Sequence, residues 1–390
     1  MLKSRFWLLL APFFILTIAA APADEEAELR RAAQSLNSVL GDTAQEAKTE
    51  EIAKDPARAK RLLAVARKMN EEKSSPLAYS ANFILGCVAL ELRDAESGEA
   101  LFAKAAKQAE ALKSDQKATM AYLYWIDLQI AAKKYDDAEQ TTKKLLEREL
   151  EDENGRWAAI GQAFGLRKLI QIMVYRGKAE DALKKLANEK PMGFNLVTKA
   201  WVLTYMGKYA DAATVYEDLL KMIGDRESEA ASREMYSRSL GSLYGDMGQI
   251  DKANAVLEPL LKKNPDDEGL KNDLGYVWAE HGVRLDEAEK MIRQAVEAKP
   301  TNGNYVDSLA WVLYKQKKYD EAKKLILKAI AMPKTQNTEI YEHLGDIHMA
   351  LNEKTEAKTA WTKAVELATG SARDQKRKTE LEKKIKEAGE

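Results

Sequence analysis

The feature that most constrains this chain is a ladder of alanines, each standing just after a short polar turn. Ala138 (KKYDDA), Ala182 (GKAEDA), Ala212 (GKYADA), Ala253 (GQIDKA), Ala288 (GVRLDEA), Ala322 (KKYDEA) and Ala357 (NEKTEA) follow one another at spacings of 44, 30, 41, 35, 34 and 35 residues. Self-similarity at a period of roughly 20–50 residues marks a stacked-repeat architecture, because one unit cannot bury its apolar face alone. Four residues after most of these alanines comes a side chain at the same helical phase: Leu186, Tyr216, Leu257, Ile292, Ile326 and Trp361. Three further on stand Leu145, Leu219, Leu260, Ala295, Ala329 and Ala364. The i, i+4, i+7 spacing gives each of these helices one apolar face. Twelve or thirteen residues before the later alanines lie Ala200, Gly241, Gly275, Ala310 and Gly345, small enough to let a second helix approach closely. Pro265, Pro300 and Pro333 then stop the helices that the ladder alanines begin.

Composition supports helices joined by tight turns, since 390 residues contain 20 glycines and 9 prolines. It also removes whole classes of function. With 61 basic against 62 acidic side chains there is no basic excess to hold a nucleic acid. One cysteine, Cys87, forms neither an internal disulfide nor a thiolate metal site. Phosphate-cradling glycine loops and nucleophile elbows are absent from the sequence, so no catalytic residue, cofactor or small-molecule substrate is expected. His343 and His348, beside Glu342 and Asp346, are five apart and diverge on a helix, unlike the i, i+4 pair of a zinc helix. Asp136-Asp137 and Asp266-Asp267 read as helix-start carboxylates that complement the helix dipole.

The start, MLKSRFWLLLAPFFILTIAAAPADEE, reads as an address. Lys3 and Arg5 precede an apolar run from Phe6 to Ile18, and Ala21-Pro22-Ala23 offers small residues to a signal peptidase. Cleavage is expected after Ala23, leaving Asp24 as the first residue of an exported protein in the periplasm or another extracytoplasmic compartment of a bacterium. The alternative is an uncleaved anchor, the one membrane attachment this chain would have.

The segments LGSLYGDMGQIDKANAVLEPLLKKNP and LAWVLYKQKKYDEAKKLILKAIAMP resemble tetratricopeptide repeats, which place small residues near positions 8 and 20, a large one near 24 and proline near 32. NDLGYVWAEHGVRLDEAEKMIRQAVEAKP, DSLAWVLY and EHLGDIHMAL are similar to repeats of exported or membrane-associated bacterial proteins. The resemblance implies an all-α, right-handed superhelical solenoid of stacked antiparallel helix pairs. It divides the chain into a signal peptide (1–23), an N-terminal helical cap region (24–75), degenerate repeats (76–192), well-matched repeats (193–371) and a charged C-terminal helix (372–390) expected to be solvated. In the degenerate stretch Ile126 and Ile170 replace the small residue of the first helix, and Thr142 takes the bulky position.

The resemblance further implies a concave surface lined by the first helix of each pair, where such proteins bind segments of other proteins. Its inward positions are Trp201, Tyr205, Arg238, Asp246, Asn272, Tyr276, Glu280, Asp307, Trp311, Tyr314, Glu342 and Asp346. Trp201, Tyr276 and Trp311 share one phase. They either stack on the apolar or basic side chains of a bound segment or pack between neighbouring helices as core. Family members that clamp a peptide's terminal carboxylate use lysines and asparagines here, and only Asn272 corresponds, which argues against that specialised role. Two functions remain: a non-enzymatic interaction scaffold of the cell envelope, or an accessory subunit or assembly factor of an envelope enzyme or transport complex.

Overall fold

The computed structural model describes residues 23–72, 76–148, 155–189, 193–332 and 335–389. Residues 1–22 of the expected leader (1–23) and Pro333 lie outside them. Among the described residues there are twenty α-helices and no strand, in two compact units divided between Ile172 and Met173. The N-terminal unit holds α1 (Ala23–Ser35), α2 (Asp42–Ala53), α3 (Pro56–Glu71), α4 (Tyr79–Glu91), α5 (Ala95–Ala111), α6 (Asp115–Ala131) and α7 (Tyr135–Glu147), and α8 (Arg156–Tyr175) runs across the division. The C-terminal unit continues with α9 (Ala179–Ala187), α10 (Gly193–Tyr205), α11 (Tyr209–Ile223), α12 (Ala230–Asp246), α13 (Ile250–Lys263), α14 (Glu268–Glu280) and α15 (Leu285–Ala298). It closes with α16 (Gly303–Lys315), α17 (Tyr319–Ile330), α18 (Thr338–Ala350), α19 (Lys354–Leu367) and α20 (Ala372–Glu387). No helix among the described residues is long and apolar enough to cross a membrane.

Each unit is a stack of antiparallel helix pairs, and the polar turns that introduce the ladder alanines explain why. The turns joining α6 to α7, α10 to α11, α12 to α13, α16 to α17 and α18 to α19 put one residue in the left-handed region: Lys133, Gly207, Gly248, Lys317 and Asn352, at φ 58, 74, 69, 64 and 62°. The next amide then reaches back, as from Lys208 to the Leu203 carbonyl at 2.9 Å and from Lys318 to that of Leu313 at 2.9 Å. This satisfies carbonyls orphaned at the end of the first helix and reverses the chain within a short turn. Of the paired carboxylates, Asp136 and Asp137 open the first turn of α7, while the Asp267 side chain caps α14 by accepting from the Leu270 amide at 2.7 Å.

The small residues of the first helices seat large ones of the second. A Cβ built on Gly86 would meet Phe102 at 2.6 Å, one on Gly241 would meet Leu257 at 2.5 Å and one on Gly275 would meet Ile292 at 2.7 Å; one on Gly345 would overlap the Trp361 indole. In the degenerate stretch the sixteen-residue offset that joins Gly86 to Phe102, Gly241 to Leu257 and Gly345 to Trp361 joins Ile126 to Thr142 in the sequence, with the large residue now first. Ile126 is fully buried, and Thr142 answers its own burial by donating from its hydroxyl to the Ala138 carbonyl at 2.7 Å.

Ala322 is 0 % exposed in a core cluster with Ile326, Ala310 and Ala329. Ala322→Leu is therefore expected to destabilise the C-terminal unit by about 1–3 kcal/mol through overpacking. Denaturant titration of the two chains reads this directly, and an unchanged midpoint would refute the register. In the N-terminal unit burial pushes the Cys87 thiol up to about 12. Cys87 should resist thiol reagents near pH 8 until the unit unfolds, because the thiolate is the reactive form.

Candidate functional site

Five first helices of the C-terminal unit, α10, α12, α14, α16 and α18, turn polar and aromatic side chains toward two cavities. The first, about 600 Å³, is lined by Trp201, Arg238, Asp246, Asn272, Asp273, Tyr276, Asp307 and Glu339, with Arg373 entering from α20. The second, about 550 Å³, shares Asp246, Tyr276 and Glu339 and adds Glu280, Trp311, Glu342, His343, Arg377 and Glu380. Of the residues expected to face inward, Tyr205, Tyr314 and Asp346 line neither cavity. Tyr205 lies against Trp201 at 6.0 Å, Tyr314 stacks on Trp311 at 4.8 Å, and Asp346 accepts from Trp361 Nε1 at 2.9 Å.

For Trp311 the packing alternative holds. The residue is 6 % exposed, stacks on His343 with ring centroids 3.9 Å apart as well as on Tyr314, and donates from Nε1 to Glu280 at 2.7 Å. Trp201 is half-buried at the other end of the row, edge-on to Tyr175. Between them Arg238 donates to Asp273 at 2.9 Å, and the Asn272 Oδ1 is buried without a hydrogen-bond partner.

The C-terminal helix is not the solvated rod expected from its composition. Its cations run along the concave carboxylates: Arg373 pairs with Asp246, 127 residues earlier in the chain. Arg377 reaches Glu339 at 2.5 Å and Glu342 at 3.5 Å, and Lys384 reaches Asp346 at 2.8 Å and Glu342 at 3.4 Å. On the other side of Glu339 the Tyr276 hydroxyl donates at 2.6 Å. Leu381, Ala388 and the half-buried Ile385 anchor the same helix on Ala357, Trp361 and Ala364 of α19.

The charges are tuned by these neighbours. Burial pushes the Glu339 carboxyl up, but Arg377, His343 and the Tyr276 hydroxyl overcome it and bring the value to about 2. Desolvation pulls His343 down, yet the Asp307 carboxylate 2.8 Å from its Nδ1 leaves it raised overall. Burial raises Asp246 and Asp273 despite the arginine beside each, and raises the Tyr276 hydroxyl far above its ordinary value. His348 turns to Glu353 at 2.5 Å and His343 to Asp307, so the two histidines do not converge on a common point.

Glu339, His343, Asp273 and the cations of α20 are lining residues that the repeat pattern does not pick out. One signal for them exists in the sequence: Glu339, Glu342 and Asp346 fall on one face of α18, as Arg373, Arg377 and Lys384 do on α20.

Comparison with known proteins agrees with this architecture. A model described as tetratricopeptide repeat-like domain matches residues 279–387, and one described as tetratricopeptide repeat matches residues 53–110 and 238–303. The chain belongs to the tetratricopeptide repeat proteins. It is 29% identical over 113 residues to a repeat-containing protein of Pseudomonas aeruginosa, a match covering 29% of this chain and 18% of that one. This chain therefore spans under a fifth of that relative's length. The solved structure of a tetratricopeptide repeat protein from Parabacteroides merdae aligns with a TM-score of 0.51 at 17% identity, covering 70% of this chain and 99% of that one. A thermophilic repeat protein of Thermus thermophilus aligns at 0.41 and 19% identity, over 49% of this chain and 97% of that one. The fold is that of a protein–protein interaction scaffold.

Proposed function

We propose that this protein is a non-catalytic scaffold of the cell envelope that holds a segment of another protein against the concave face of its C-terminal unit. The observation that carries the reading is the lining of that face: aromatic rings and carboxylates from five successive first helices open on cavities of about 600 and 550 Å³. Such a surface suits an extended or helical segment with apolar and basic side chains. The unpartnered Asn272 acceptor offers a place for a donor from the bound segment.

The test is affinity capture from envelope extracts with the chain starting at Asp24 as bait. Trp201→Ala is the control, because Trp201 is only half-buried whereas Trp311 is core. Aromatic anchors in such interfaces cost about 2 kcal/mol or more when truncated, so the variant should lose its partner while keeping its helical spectrum. Equal capture by both chains would move the binding surface elsewhere. The envelope location rests on the n-region, the short apolar run and Ala21-Pro22-Ala23. Protein recovered from cells should begin at Asp24; an intact Met1 end in the membrane fraction would point to a retained anchor.

A further inference from the structure

The concave carboxylates are already in use, and the way they are used describes what else fits there. Helix α20 carries Arg373, Arg377 and Lys384 at spacings of four and seven, one stripe along one face, opposite Asp246, Glu339, Glu342 and Asp346. Its outer face is closed by its own pairs, Lys376 with Glu380, Lys378 with Glu382 and Lys383 with Glu387. The apolar rooting of the helix is confined to its C-terminal end. Only Leu381 and Ala388 are buried, its first nine residues contain no apolar side chain larger than Ala372, and the link to α19 is the four-residue stretch Ala-Thr-Gly-Ser at 368–371. The outer pairs of the row, Arg373–Asp246 and Lys384–Asp346, keep 41% and 34% of the cation exposed and weaken with salt, whereas the more shielded Arg377–Glu339 pair weakens less and apolar burial does not.

We propose that this carboxylate row is a docking surface for a basic amphipathic helix, occupied at rest by the chain's own C-terminal helix, which a partner helix with cations at the same spacing displaces. This deepens the scaffold reading and rests on it. The partner is then a helical segment with positive charges four and seven residues apart, and its apparent affinity is lowered by the fraction of chains whose row is covered.

The probe is a fluorescent peptide of residues 370–389, added to the full chain and to its Arg377→Glu/Lys384→Glu variant. The variant's own helix is repelled by Glu339, Glu342 and Asp346, so it should bind the peptide roughly tenfold or more tightly than the wild type. Binding should fall steeply with added salt and disappear when the peptide itself carries Glu at positions 377 and 384. Equal binding to both chains, or none to a variant that keeps its helical spectrum, would overturn the proposal. Should the variant not fold, hydrogen exchange on the wild type decides. Amides of 372–387 should exchange well before those of 338–367, and faster as salt rises; exchange of the two segments together would make α20 a fixed part of the fold and overturn the proposal. The probe is the chain's own segment, so a negative result here leaves the scaffold reading standing, while that reading stands or falls on Trp201→Ala capture.

Discussion

Trp361→Ala is expected to cost the C-terminal unit about 3–5 kcal/mol, the range for emptying a buried aromatic site. Trp361 is 3 % exposed, its indole lies over the bare backbone of Gly345, and its Nε1 donates to Asp346 at 2.9 Å. Leu381 and Ile385 of α20, with Ala388 just after it, pack into the same cluster, so the loss should reach the C-terminal helix as well as the α18–α19 pair. Denaturant titration of the full chain measures the cost. Gly345→Ala attacks the same contact from the other side by pushing a methyl into the ring, for about 1–3 kcal/mol. The double variant should cost clearly less than the sum, because removing the indole makes room for the methyl. Strict additivity would show that the two residues do not meet, and with it that the repeat register is wrong.

That register is legible in the amino-acid sequence because it is local. Ala322, Ala288 and Ala253 are 0 % exposed where the ladder predicts a helix crossing, and α13 and α15 end just short of Pro265 and Pro300. Two local features are harder to read. Lys133, Lys317 and Asn352 adopt the left-handed conformation that glycine takes at Gly207 and Gly248, so the turn has no single residue as its signature. Ile126 and Thr142 exchange large and small at the sixteen-residue offset, which hides the repeat from a fixed pattern. The site is less legible because its decisive contacts are distant in sequence. Amphipathic spacing announces that Arg373, Arg377 and Lys384 share a face, but not that the face meets Asp246 across 127 residues. A charged terminal helix reads as solvated unless the carboxylates opposite it are known. Trp311 misleads for a related reason: its phase on α16 is that of a lining residue, and it touches the second cavity, but His343, Tyr314 and Glu280 cover most of it.

The second large effect concerns Glu339. Glu339→Gln removes the carboxylate that Arg377 reaches at 2.5 Å and Tyr276 at 2.6 Å, leaving Arg377 with Glu342 at 3.5 Å. Both side chains of the pair are largely shielded, at 28% and 17% exposure, so solvent screens little of the loss. A carboxyl held at about 2 rather than at its ordinary 4.5 corresponds to about 3 kcal/mol at neutral pH. The sign follows from the depressed value. The contribution is complete above pH 4.5 and disappears as the pH falls toward about 2. His343 works in the opposite direction: raised by Asp307, it stabilises fully below its ordinary 6.5 and loses that contribution as the pH climbs through its folded value. Asp246 and Asp273, raised by burial, offset part of the acid limb, since protonating them relieves their desolvation. Asp246 and His343 feel the Glu339 charge themselves, so the difference between wild type and Glu339→Gln reads the Glu339 carboxylate together with its coupling to them, while Asp273 is common to both chains. Stability measured against pH should show a gap of about 3 kcal/mol near neutrality that closes between pH 4.5 and about 2. A gap that stays constant down to pH 2 would mean that Arg377 never depended on the Glu339 charge.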